Sequence, residues 1–103
     1  MFTELKEDNL AEVVKSNKVT IVQYSAGWCG NCRMIKPRFK RMANDYEAEF
    51  IVVDAEQFPE SRQLAHVNNL PTFAAFRGDE LLKQIQTNRA ESLKEFVDEI
   101  TSN

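Results

Sequence analysis

Two cysteines and one histidine are the only thiolate and imidazole metal ligands that this 103-residue chain possesses. A closed structural zinc site takes four ligands. Zinc would therefore have to recruit carboxylates or be shared between two chains, and no metal is expected. Long apolar runs are missing too. No stretch approaches the roughly 20 residues of a membrane span, and no membrane partner is expected. Positive charge is not in excess, because 13 lysines and arginines face 16 acids and leave a net charge of −3. That balance argues against nucleic acid as a general partner. The start of the chain, Met1-Phe2-Thr3-Glu4-Leu5-Lys6-Glu7-Asp8, has neither the basic nor the apolar region of an export signal. A cytoplasmic location is the expectation. Linkers, repeats and low-complexity tracts are lacking as well. The length suits one core but not two, so a single domain over residues 1–103, acting as a monomer, is expected.

What the chain does have is Trp28-Cys29-Gly30-Asn31-Cys32. Before it runs Val19-Thr20-Ile21-Val22-Gln23-Tyr24-Ser25, rich in β-branched residues and closed off by Gly27, the pattern of a buried strand. After it, Cys32, Ile35, Phe39, Met42, Ala43 and Tyr46 recur at helical spacing. The pair thus falls on a strand-to-helix turn with Cys29 at the helix N-terminus. Unpaired amides and the positive end of the helix dipole stabilise a thiolate there, and the thiolate is the reactive form. A second thiol one turn away can close a disulfide on the first. The arrangement reads as a two-electron redox switch.

Blander uses of the pair fare worse. A disulfide closing so short a loop constrains the unfolded chain very little. Inert core cysteines do not suit their neighbours Gly30 and Asn31, which are poor residues for a packed helix interior. In a reducing compartment a CxxC is more readily catalytic than architectural. His66 sits in a polar segment and receives no chemistry.

Elsewhere the chain alternates strand and helix signals. A short strand is expected over Phe2 to Leu5, then a helix marked by Leu10, Val13 and Val14, with Glu7 and Asp8 placed to favour its N-terminus. Phe50-Ile51-Val52-Val53-Asp54 reads as a strand buried on both faces. Pro59 opens a short helix through about Ala65. Phe73-Ala74-Ala75-Phe76, the turn Arg77-Gly78-Asp79-Glu80 and Leu81 to Gln86 read as a hairpin. Asn88 and Glu91 form a candidate capping box for a last helix carrying Leu93, Phe96, Val97 and Ile100. The order β-α-β-α-β-α-β-β-α implies an α/β fold, with a central mixed sheet between helices and the hairpin at its antiparallel edge.

On these residues the chain resembles the thioredoxin family over essentially its whole length. The matching features are Trp28-Cys29-Gly30-x-Cys32, Pro37, Asp54, Leu70-Pro71-Thr72-Phe73, Gly78 and Leu93-Lys94-Glu95-Phe96. The resemblance implies a thioredoxin fold, with a central mixed five-stranded sheet and four helices. It implies a cis bond before Pro71, which would lie against the cysteines, and a substrate surface formed by Trp28, Leu70, Pro71 and Thr72. It also implies disulfide-containing protein substrates, a thioredoxin reductase as source of electrons, and no cofactor beyond the redox-active Cys29–Cys32 disulfide. Cys29 is then the exposed nucleophile and Cys32 the deeper resolving thiol, with Trp28, Gly30, Asn31 and Gln23 tuning them.

Four departures from the family pattern stand out. Asn31 takes the place of a proline, so an added backbone N–H and amide favour the thiolate and a less reducing dithiol. Gln23 takes the place of a buried aspartate, and Phe50 that of the lysine beside it. Gln86 or Thr87 falls near a glycine that borders the substrate groove. The rival reading is a binding or redox-sensing module on the same fold, with little turnover. The cations Arg33, Lys36, Arg38, Lys40 and Arg41 have no acid among them, and read first as a solvated helix face and second as a docking patch for an acidic partner.

Overall fold

The alternation of side chains along each strand decides which helices it meets. The computed structural model describes residues 1–102. The elements are β1 (Phe2–Glu4), α1 (Leu10–Lys15), β2 (Val19–Ser25), α2 (Gly30–Met42), β3 (Glu49–Asp54), α3 (Pro59–Arg62), β4 (Thr72–Arg77), β5 (Glu80–Gln86) and α4 (Ala90–Thr101). One sheet forms in the order β1-β3-β2-β4-β5. β3 pairs in parallel with β1 and β2, whereas β4 runs antiparallel to β2 and β5 antiparallel to β4. The five-stranded mixed sheet with four helices is the one expected.

Both faces of the sheet are covered. Ile21, Phe50, Val52, Phe73 and Ala75 point to one side, where Ile35 and Phe39 of α2 and Leu93, Phe96, Val97 and Ile100 of α4 close over them. Val22, Tyr24, Ile51, Val53, Ala74 and Phe76 point to the other, against Leu10 and Val14 of α1 and Phe58 just before α3. Burial on both faces explains why the strands read as nearly continuous apolar runs. Phe39 is the keystone of the α2 side, with ring centroids 5.2 Å from Phe50 and 5.6 Å from Phe73. Between β4 and β5 the chain turns at Gly78, whose φ of +55° is the left-handed conformation that glycine adopts without strain.

Several local expectations need correction. Asp8 does not serve α1, whose N-cap is Asn9 with no side-chain hydrogen bond. Its carboxylate instead accepts from the amides of Glu60 and Ser61 and from the Ser61 hydroxyl, at 2.7–3.0 Å, and so caps α3 across a loop. That helix ends at Arg62, short of Ala65, because its last turn breaks into tighter hydrogen bonds. Asn88 and Glu91 form no capping box. The N-cap of α4 is Arg89 in extended conformation, and Thr87 Oγ1 accepts from its amide.

Partial desolvation pushes the Asp8 carboxyl up, but the hydrogen bonds from Ser61 and Glu60 outweigh it and hold its pKa below the ordinary value. A carboxyl lowered on folding stabilises above its unfolded pKa of about 3.9, and that contribution fades as the pH falls through the folded value. Asp8→Ala is therefore expected to lower Tm at neutral pH by on the order of 5 °C. The gap from wild type should close as the pH drops below about 4. Thermal unfolding of both proteins across pH checks this; a gap that persists in acid would mean the carboxylate is not its cause.

Candidate active site

The site is built where β2 gives way to α2. Ser25 ends the strand and its carbonyl accepts from Ala55 N at 2.8 Å, which ties the exit of β2 to that of β3. Gly27 and Trp28 carry the chain round, and Cys29 N closes the turn on Ala26 O at 3.1 Å. Cys29 is the N-cap of α2, in extended conformation, and its sulfur accepts from Cys32 N at 3.2 Å. The Cys29 sulfur thus occupies the position that Ser, Thr or Asp oxygen takes in an ordinary helix cap. Asn31 and Gly30 are exposed in the first turn. A Cβ at Gly30 would meet nothing closer than Arg33 Nη2 at 3.8 Å, so space alone does not require glycine there.

Cys29 and Cys32 form a disulfide with Cα atoms 5.3 Å apart. Contrary to the expectation of an exposed nucleophile, Cys29 is only 5% exposed and Cys32 is fully covered. The cover comes from Ala26 and from Leu70 across the fold. Leu70–Pro71 is a cis peptide bond, and the buried Pro71 leads straight into β4. Thr72 is buried and donates its hydroxyl to Asn69 O at 2.5 Å, holding the loop that presents Leu70. Cys29, Cys32 and Leu70 are therefore brought together, with Pro71 next in the chain, while the Thr72 side chain is turned inward.

Trp28 is 67% exposed beside the disulfide. Its indole N–H donates to Glu56 Oε2 at 2.8 Å. Glu56 is held in turn by the loop after β3, where Asp54 Oδ1 accepts from the amides of Glu56 and Gln57. Nothing in the sequence around Glu56 marks it as a neighbour of Trp28; only the parallel pairing of β2 and β3 puts their ends side by side. Arg33 donates to Gly27 O at 2.7 Å and pins the turn from outside.

Beneath the cysteines lies Gln23, fully buried. Its Nε2 donates to Cys32 O at 3.2 Å, and its Oε1 has no hydrogen-bond partner among the described residues. The β3 residue opposite it is Val52, not Phe50, which pairs with Ile21. A parallel strand shifted by two residues keeps the same face but changes the neighbour, which is why the pattern of apolar residues gave no warning. Cys32 and Val52 border a cavity of about 430 Å³ that Asp54, Lys6, Lys36 and Glu4 also line. The Lys36 hydrogen bond holds the Glu4 carboxyl below its usual pKa. His66 is exposed and engages Gln84 only through its backbone. Among the described residues no three His, Cys, Asp or Glu side chains converge as a metal site, and no helix is long and apolar enough to cross a membrane.

A disulfide at the N-cap of a helix, covered by a cis X–Pro loop and bordered by an exposed tryptophan, defines a dithiol redox site. The thioredoxin family profile matches residues 1–99. Thioredoxin H2 of Arabidopsis thaliana is 30% identical over 90 residues, covering 86% of this chain and 68% of that protein. Thioredoxin-1 of Schizosaccharomyces pombe is 35% identical over 74 residues, 71% of this chain and 72% of its own. Among solved structures, the reduced Schistosoma mansoni thioredoxin pre-protein superposes with a TM-score of 0.86 at 27% identity, covering 96% of this chain and 97% of that one. A thioredoxin f2 in complex with ferredoxin:thioredoxin reductase superposes with a TM-score of 0.84 at 23% identity, covering 95% and 93%. The chain belongs to the thioredoxin family. It is a thiol-disulfide oxidoreductase, a protein-disulfide reductase, and its CxxC active-site disulfide is Cys29–Cys32.

After reduction, brief treatment with iodoacetamide should label Cys29 in preference to Cys32 by about ten-fold or more, since helix-cap amides favour the Cys29 thiolate and Cys32 is fully covered. Peptide mass spectrometry reads the ratio. Preferential labelling of Cys32 would reverse the roles of the two thiols.

Proposed function

We propose that Cys29 is the attacking thiolate and Cys32 the resolving thiol in the reduction of protein disulfides. The observation that carries this reading is the cap: Cys29 sulfur takes a hydrogen bond from the helix start, while Cys32 lies one turn inward and fully covered. In the reduced protein the Cys29 thiolate attacks one sulfur of a substrate disulfide and expels the other as a thiolate. Cys32 then loses its proton, attacks Cys29 Sγ, and releases the second substrate thiolate. Two electrons pass to the substrate and the Cys29–Cys32 disulfide reforms.

Substrate is held in this reading by Trp28 and by the Leu70–Pro71–Thr72 loop. Leu70 packs on the cysteines, and its backbone enters no hydrogen bond among the described residues, which leaves it free to pair with an extended substrate segment. A thioredoxin reductase recharges the dithiol, as the complex of thioredoxin f2 with its reductase supports. A cytoplasmic location, with its reducing environment, fits this cycle. Asn31 supplies a first-turn amide that a proline would delete, a further donor near the Cys29 thiolate.

Reduction of insulin disulfides, driven first by dithiothreitol and then by a thioredoxin reductase with its nucleotide, tests the reading. Turnover with both is expected, with Cys29→Ser inactive and Cys32→Ser accumulating the mixed disulfide. A fully active Cys29→Ser variant would overturn it.

Gln23 sets the pace of the second half. Its amide does not titrate near neutrality, so it cannot take the Cys32 proton as a carboxylate would. Release of the mixed disulfide is therefore expected to be slow at neutral pH and to accelerate as pH rises. Gln23→Asp should speed that step while lowering stability by roughly 1–3 kcal/mol, since a buried acid beside Val52 meets no cation. Stopped-flow Trp28 fluorescence across pH, on both proteins, follows the step. A fast, pH-independent step in the wild type would point instead to Asp54, which borders the same cavity as Cys32.

A further inference from the structure

The cations of α2 divide into two groups once their contacts are followed. Lys36 pairs with Glu4 at 2.5 Å, Lys40 lies over the Phe2 ring with 5.4 Å to its centroid, and Arg33 holds Gly27 O. Those three serve the fold. Arg38 and Arg41 are exposed, and among the described residues neither forms an ion pair or a side-chain hydrogen bond. They lie on one helical face with Met34, which is 77% exposed, and that face leads back to Asn31 beside the disulfide. A groove of about 310 Å³ runs alongside them, between α2 and α4. Its other charged residues are Asp45, Glu91 and Lys94, and Lys94 is already taken by Asp98 at 2.8 Å.

This is a local inversion of the molecule's character. In a chain of net charge −3, two unpaired guanidiniums and an exposed methionine line a stripe of α2 that starts beside the redox centre. Acids are plentiful, and they satisfy Lys36, Lys83 and Lys94, but none satisfies these two. Guanidinium forks recognise carboxylates better than they serve as general solubilising charge. We propose that Arg38 and Arg41, with Met34, dock an acidic segment of the disulfide-bearing protein substrate and so align its disulfide over Cys29. The proposal rests on Cys29 being the attacking thiolate. At 1.5 Å per helical residue the two arginines lie about 14 and 18 Å along the axis from Cys29. An extended substrate segment covers that span in about four to six residues. The matching partner therefore carries acids about that far from the attacked cysteine. Rim charges of this kind act mainly on encounter rate and partner choice, and salt screens them.

Two synthetic peptides with an intramolecular disulfide test it, one with glutamates at those positions and one with glutamines. At low salt, kcat/KM for the glutamate peptide should exceed that for the glutamine peptide by about five- to ten-fold. The ratio should approach one near 1 M salt, where the screening length is ~3 Å. Arg38→Gln/Arg41→Gln should bring the ratio to about one, and Arg38→Glu/Arg41→Glu should reverse it. Equal kcat/KM at low salt, or a preference that survives the charge reversal, would overturn the proposal. Serine-for-cysteine versions of both peptides provide a readout that needs no turnover. In a two-dimensional amide NMR titration, the glutamate peptide should shift the Arg38 and Arg41 signals and the glutamine peptide should not. Absence of those shifts would sink the docking surface even if both disulfides are reduced. Insulin turnover by the wild type reports separately on the redox roles of Cys29 and Cys32.

Discussion

The anchoring of α2 through Phe39 is the contact on which the rest of the site depends. Its ring is fully buried against Phe50 of β3 and Phe73 of β4, and burial of such a side chain is worth roughly 1.5–3 kcal/mol. With Ile35 one turn above it, Phe39 fixes both the axis and the rotation of the helix. The rotation matters more for chemistry. It turns Cys32 inward toward Gln23 and leaves Asn31, Met34 and Arg38 facing solvent. Pro37, inside the helix, removes one backbone donor on the exposed side without breaking the span from Gly30 to Met42. The reactive end is thus held by packing placed well below it, and the two sulfurs have little freedom of their own.

That rigidity meets an unusual floor. Gln23 is tied by its amide to the Cys32 carbonyl and is walled by Val52, so the space behind the resolving sulfur contains no charge at contact. Carboxylates and lysines appear only around the wider cavity, where Asp54 is engaged by loop amides and Lys36 by Glu4. A neutral floor avoids the cost of burying an acid, and it removes the nearest proton acceptor. The absence of a buried charge and the absence of a base come from the same residue. The direction of each follows from the chemistry of an amide rather than from any detail of packing.

Much of this was legible in the sequence because it is local or periodic. The strand before Cys29, the helix after it, and the position of Cys29 at the helix start follow from residue spacing alone. So does the α/β order with its terminal hairpin. What was not legible depends on which ends of the chain meet. Asp8 looked like a cap for the helix beside it and caps the one at Pro59 instead, since folding brings the loop before α1 against the start of α3. Asn88 and Glu91 had the spacing of a capping box, yet Arg89 takes the cap because the chain leaves β5 extended one residue longer. The sequence pattern puts Phe50 beside Gln23 where the structure has Val52, since both residues face the same side and only the register of the parallel pair separates them. Glu56 carries no local signal either. Its role lies in a hydrogen bond to Trp28 across the ends of two strands.

The two halves of the site answer to different physics, and this explains how one fold can keep its chemistry while changing its clientele. The dithiol draws on backbone: helix-cap amides at Cys29 and the main chain offered by Leu70 beside a cis bond. Backbone groups persist whatever side chains surround them, so the redox function tolerates Gln23 and Asn31. In the docking proposed above, partner choice would draw on the exposed surface, where Trp28 and Met34 offer apolar contact and the α2 arginines offer positive charge. Those side chains bear little of the fold's stability and can change without disturbing the sulfurs. Lys36, Lys40 and Arg33 do not share that freedom, because each already holds a piece of the structure in place.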